Sequence, residues 1–293
     1  MAKHPALSSV VYGLLLMGGV LMFPGMGPSV GLTETLDGGR SLFAADSMPP
    51  ALQVGEELEY HVSYSFFSIG TITFKILDKE QRDGRTVYRA QTIIESNPSL
   101  SWLTEVHIRF YGEMDEDVFS YRWVGEDSLK EAVNFRQMDF KYDQQKMYFT
   151  RGKRFLSGET KLEPTDTIPI TSRCQDGLSL FFYAREHVLQ KKQEVVPTFI
   201  ENTEQKTVIN FLNERTDADC DAVDYPVDVV HFDGRADFVG VFGLTGGFEG
   251  WFSNDAARVP ILARMKVILG SVKVQLKSWK RPGWQPPKYV EAE

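Results

Sequence analysis

The chain has 293 residues, 42% of them hydrophobic and 25% charged, a globular composition with room for one large β domain or two small ones. Its 40 acidic residues outnumber 32 basic ones and leave a formal net charge of −8. That balance argues against nucleic acid and against anionic membrane surfaces as partners, because both are met by basic footprints and none stands out.

Lys3 and His4 precede an apolar run, "VVYGLLLMGGVLMFPGMG" from Val10 to Gly27, with no acid before Glu34. A basic start and such a run read as a secretory signal peptide, so the expected location is periplasmic or exported. The alternative is an uncleaved anchor in the inner membrane, with the rest of the chain facing the periplasm, since the run approaches the ~20 residues of a spanning helix. Its interruption by Gly and Pro favours the signal. Residues 1–45 are assigned to this signal and a flexible leader, with cleavage near Asp46; Gly27 and Gly31 offer earlier sites. No Cys follows the run, which excludes lipid attachment at such a residue.

From Val54 onward the hydrophobic period is two. In "LEYHVSYSF" Leu58, Tyr60, Val62, Tyr64 and Phe66 share one face, with Glu59, His61, Ser63 and Ser65 on the other. "TITFKI" continues with Ile72, Phe74 and Ile76, and Gly70 between the two runs predicts a bend or bulge. Asp83-Gly84 is a hairpin signal ahead of "RTVYRAQTIIES". Strands are further predicted in "EVHIRFYGEMD", "VFSYRWVGED", "LKEAVNFRQMDFKYD" and "KMYFTRG".

The rhythm then breaks. "CQDGLSLFFYAREHVLQKK" carries Leu178, Phe181, Phe182, Ala184, Arg185 and Val188 at helical spacing, with Asp176 or Ser172 as the cap and Lys191 and Lys192 at the end. Strands resume in "KTVINFLNE", "PVDVVHFDG", "GFEGWFSND", "PILARMKVILG" and "VKVQLKSWK", and no βαβ alternation appears. Residues 46–281 therefore read as a single β-rich domain, mainly β or α+β. Pro282, Pro286 and Pro287 mark residues 282–293 as a frayed, Pro-rich tail. A sheet with one greasy face must close into a barrel, stack on a second sheet or wrap the helix. If it curls only partly around the helix, its concave face leaves a hydrophobic cleft.

Chemistry is sparse. His4, His61, His107, His187 and His231 lie on separate elements without metal-binding spacing, so no metal and no cofactor are expected. "GVFGLTGG" (240–247) opens no helix and reads as a hairpin connection rather than a phosphate loop. Catalytic residues are not assigned; a hydrolase acting on cell wall or polysaccharide would need Glu56, Asp255 and Glu249 to converge. Cys174 and Cys220, an even pair in an exported chain, are expected to form a disulfide; the alternative is two unrelated small buried residues. In "GWFSNDAARVPI", Trp251 and Phe252 point to opposite faces of an ending strand, and Asn254 and Asp255 supply turn chemistry. Pro260 opens the next strand, and Arg258 either pairs with Asp255 or braces the corner.

Three segments together resemble a bacterial family called domain of unknown function 3108. They are "VGEELEYHVSYSFFSIGTITFKI", with its Gly55-Glu56 pair and Gly70; "DGLSLFFYAREHVL"; and "GWFSNDAARVPILARMKVILGSVKVQL", with Trp251, Asp255, Arg258 and Pro260. The resemblance covers about Val54 to Leu276, and Ala184 departs from it where a larger residue is expected. It implies an exported envelope protein with a curved antiparallel sheet, a half-barrel, wrapping one main helix. That shape is similar to the periplasmic carriers of outer-membrane lipoproteins, which hold acyl chains. The expected partners are lipid or lipoprotein, or other envelope proteins if the chain is an assembly factor. If it is a carrier, contacts should come from Tyr60, Val62, Tyr64, Phe74, Ile108, Phe110, Met265 and Leu269.

Overall fold

Among the described residues the period of two becomes fifteen antiparallel strands in one large, open, curved sheet. The computed structural model describes residues 51–101, 105–236, 246–266 and 270–291. The first meander is β1 (Glu57–Tyr64), β2 (Phe67–Arg82), β3 (Arg85–Ser96), β4 (His107–Asp115), β5 (Ser120–Ser128), β6 (Ala132–Lys141) and β7 (Lys146–Phe155), followed by the short β8 (Thr160–Leu162) and β9 (Asp166–Pro169). Helix α1 (Ser179–His187) follows. The second meander is β10 (Lys192–Ile200), β11 (Thr203–Ala218), β12 (Val227–Ala236), β13 (Gly246–Ser253), β14 (Pro260–Lys266) and β15 (Ser271–Lys280). The sheet runs from β10 through β15 to β1 and on to β8, with β9 beside β7. Residues 1–45, read above as a signal and leader, lie outside the described residues. Among those described, no helix is long and apolar enough to cross a membrane.

The register gives the sheet two ends. The turn at Asp83-Gly84, the Asn254–Val259 corner and the entry to β1 lie at one end, here the base; the Ser65-Phe66 and Glu201-Asn202 turns lie at the other, here the rim. Asp83 and Gly84 both take positive φ, 53° and 77°, the left-handed pair that a two-residue hairpin between Arg82 and Arg85 requires. Of the bend or bulge expected at Gly70, the structure has the bulge. Gly70 lies inside β2 next to it, where a Cβ would come within 2.2 Å of the Glu95 carbonyl oxygen, while the chain reverses earlier at Ser65. Phe66, placed on the buried face by alternation, sits in that reversal and is 82% exposed.

The open edges approach each other. Phe199 of β10 meets Phe140 of β6 at 5.6 Å, Glu201 pairs with Arg136 at 2.9 Å, and Asn202 donates to Asp166 at 3.0 Å. The segment before α1 stitches both sides. The Cys174 carbonyl accepts from the Ser120 N–H, and the Gln175 carbonyl accepts from the Phe199 N–H. α1 is shorter than its periodicity suggests, because Lys192 already belongs to β10. Asp176, not Ser172, prepares its start by accepting from the N–H groups of Leu178 and Ser179.

The expected disulfide is absent. Both thiols are free and buried. Cys174 is held against Tyr142 and the Ser172 carbonyl beside β5, whereas Cys220 lies past the end of β11, near Tyr60 of β1. An even count says nothing about distance. The tail is likewise not frayed over its described part: Asp228 N–H donates to the Pro287 carbonyl, and Trp284 Nε1 donates to Asp255.

Candidate functional site

Between α1 and the sheet lies a cavity of about 260 Å³. Its walls come from both meanders: Tyr60, Ile72, Phe74, Thr92, Phe110 and Trp123 from the first, and Ile209, Phe232, Phe248, Phe252, Leu262 and Met265 from the second, with Leu180 and Phe181 from α1 and Leu178 just before it. Aromatic pairs fix the walls. Phe74 stacks on Phe181 at 4.2 Å and 3°, and Phe232 on Phe252 at 5.0 Å and 5°. Small side chains leave the space: Ala184 on α1, with Ala236, Ala263 and Gly177 around it. Ala184, noted above as unexpectedly small, is thus part of the cavity wall.

Polar groups in the lining are few. Tyr60 Oη donates to the Pro260 carbonyl at 3.0 Å, and burial pushes its ionisation well above the usual phenol range. Thr207 and Thr198 share a hydroxyl–hydroxyl bond of 3.1 Å. Thr92, only 3% exposed, has no hydrogen-bond partner for Oγ1 among the described residues. Glu249 is the sole charged residue of the described lining, and it is exposed on β13.

Four of the eight residues expected to contact a ligand line this cavity: Tyr60, Phe74, Phe110 and Met265. Val62 is buried in the same core without reaching it, and Tyr64 and Ile108 are half-buried nearer the rim. Leu269 lies outside the described residues. The contributions of α1 and of β11 to β13 were missed. Alternation marks inward phase on every strand alike, and only small inward residues such as Ala236 and Ala263 carried a hint of space.

Below the cavity the base is closed by charge. Gly55 takes φ 83° and delivers Glu56, whose carboxylate receives both Nη atoms of Arg185 at 2.6 and 2.9 Å and also pairs with Arg281. Arg185 is fully buried and also donates to the Ala257 carbonyl. Burial works to raise the Glu56 carboxyl, but Arg185 and Arg281 outweigh it and hold it below the usual carboxylate range. Arg258, at φ 47° and 1% exposed, donates to the Arg185 carbonyl and pairs with Glu186 at 2.7 Å. Asp255 ties the corner by accepting from Ser253 Oγ and from the N–H groups of Ala257 and Arg258. Arg258 therefore braces the corner from the helix side, and its backbone N–H meets Asp255.

A second buried acid, Asp115, pairs with Arg85 and Arg173, and a third, Asp176, accepts from Ser120 Oγ at 2.5 Å. Burial raises the Asp176 carboxyl despite these donors. Glu56 and Asp255 are each taken up by base contacts, and Glu249 stands apart on β13; the three do not converge. Trp251 is also separate, stacked on His231 at 4.9 Å. Among the described residues no three His, Cys, Asp or Glu side chains group as metal ligands would.

The chain's relatives can be set beside this geometry. The family described as "Protein of unknown function (DUF3108)" matches residues 59–277, and the chain belongs to it. No curated protein matches. Among solved structures the chain is similar to a β-barrel-like protein of domain of unknown function DUF1849 from Brucella abortus. The two are 9% identical with a TM-score of 0.48, over 78% of this chain and 97% of that one.

Proposed function

We propose that this DUF3108 protein is an exported, non-enzymatic cell-envelope protein whose sheet wraps α1 to hold an apolar ligand, a lipid or lipoprotein acyl chain. The observation that carries the reading is the cavity itself: about 260 Å³ of space walled by aromatic and aliphatic side chains. Interiors are close-packed, and a void of this size forfeits contacts on every wall unless something occupies it. Its apolar lining suits hydrocarbon, since buried alkyl groups gain about 0.8 kcal/mol per CH₂ on leaving water. Export is the reading of the N-terminal run, and a periplasmic site would place the cavity among envelope lipids.

Native mass spectrometry of gently purified protein tests the proposal. Co-purified lipid, and binding of the apolar dye N-phenyl-1-naphthylamine after delipidation, are the expected results. A clean apo spectrum with no dye binding would overturn it; recovery of envelope proteins without lipid would make the chain an assembly factor instead.

A further inference from the structure

The walls of the cavity differ in kind from those of a site for a charged lipid. No Lys, Arg or His belongs to its described lining, and its one charge, Glu249, is negative. An anionic headgroup inside would be stripped of water with no counter-charge, next to a carboxylate. One polar group is nevertheless prepared. Thr92 stands on β3 between Phe74 of β2 and Phe110 of β4, opposite both in register, and its buried Oγ1 has no partner among the described residues. Buried hydroxyls are normally paired, and an unpaired one is a penalty that a ligand atom can remove. Neither neighbour in kind is free: Thr207 bonds Thr198, and the Tyr60 hydroxyl bonds Pro260. The volume, about 260 Å³, exceeds the ~150 Å³ of a cavity that takes benzene and falls below the ~300–1,000 Å³ of typical drug-sized sites. It fits one chain, not two.

We propose that the cavity selects a single alkyl or acyl chain bearing an uncharged hydrogen-bonding group, such as a hydroxyl, ester or amide, and that Thr92 recognises that group. This rests on the reading of the cavity as a lipid site and narrows it. Thr92 Oγ1 can donate to an ester or amide carbonyl, or accept from an alcohol, so it serves any of these but brings no charge to a carboxylate.

Displacement of N-phenyl-1-naphthylamine from delipidated full-length protein at pH 8 tests it, with decan-1-ol, methyl decanoate and decanoate as competitors of equal chain length. The alcohol and ester should compete at least about tenfold better than decanoate. Thr92→Val should weaken the alcohol and ester about three- to tenfold, the scale of one lost hydrogen bond. The same variant should be no less stable than wild type, because it removes an unpaired buried hydroxyl. Decanoate competing as well as decanol, or Thr92→Val leaving the decanol constant unchanged, would overturn the selectivity while leaving the lipid site standing. Binding of neither dye nor any chain would overturn both.

Discussion

The base, at the ends of β1, β14 and β15 and on α1, and the cavity wall, along the sheet, are built by opposite means. At the base, Glu56, Arg185, Arg281, Glu186 and Arg258 form a buried charge network in which each member has a fixed partner. Further up the sheet, the wall around Tyr60, Phe74 and Phe252 is apolar and one of its hydroxyls is left open. Charge networks tolerate little movement, because a missing partner strands a charge out of water. Apolar walls are non-directional and accept whatever fits. The contrast assigns rigidity to one end and adaptability to the other.

The largest test of that contrast is Glu56→Gln. It leaves Arg185 and Arg281 with a neutral amide, and should cost about 3–5 kcal/mol of unfolding free energy in urea titrations. A loss under ~1 kcal/mol would mean the network is not what fixes the base.

Acid offers a second route to the same contacts. Glu56 is held below its unfolded value, so its stabilising contribution is complete above the unfolded range near ~4.3 and is lost as pH falls through the folded pKa. Asp176 works in reverse: its carboxyl is raised, so its cost is present above the folded pKa and is relieved as pH falls. Thermal midpoints followed below pH 5 should therefore drop in wild type and flatten in Glu56→Gln. Parallel curves would show that other carboxylates dominate.

At the wall, Ala184→Leu should fill the cavity and abolish dye binding, with a stability change inside the ~1–3 kcal/mol of added core methylenes and an unchanged far-UV spectrum. Retained dye binding would place the ligand elsewhere. The smallest effect is expected at the rim, where Phe66→Ser should shift stability by no more than about 0.5 kcal/mol, since that ring is 82% exposed.

The strands were legible because burial on one face imposes a period of two, and the Asp83-Gly84 turn because only certain residues take its backbone angles. The helix was legible too, though its final residues were claimed by β10. What the sequence hid was three-dimensional. Cys174 and Cys220 look like a pair in a count but pack in different places. Arg185 sits at helical spacing among Phe182 and Val188 with nothing local to announce Glu56 as its partner, 129 positions away along the chain. The cavity was half legible: inward phase named Tyr60, Phe74, Phe110 and Met265, but which strands face α1 depends on how the sheet curls. The turn around Asp255 and Arg258 between two strands was legible, yet its reach into the helix through Glu186 and the Arg185 carbonyl came only with the fold.

The pairing of β1 with β15 sets an order of events. Val62 lies opposite Val274, so the first strand of the sheet and the last are neighbours at its middle. A chain emerging from its N-terminus can zip β1 through β7 by local hairpins, but the inner edge of β1 stays unpaired until β15 has emerged. The centre of the sheet is completed last, and contacts of such long separation fold slowly and leave an edge open to wrong partners in the meantime. The same adjacency brings the points where the chain enters and leaves the sheet together. A circular permutant opened between α1 and β10 would turn that last, distant seam into a local one, because its strands would then follow the order of the sheet, and it should fold faster to the same sheet.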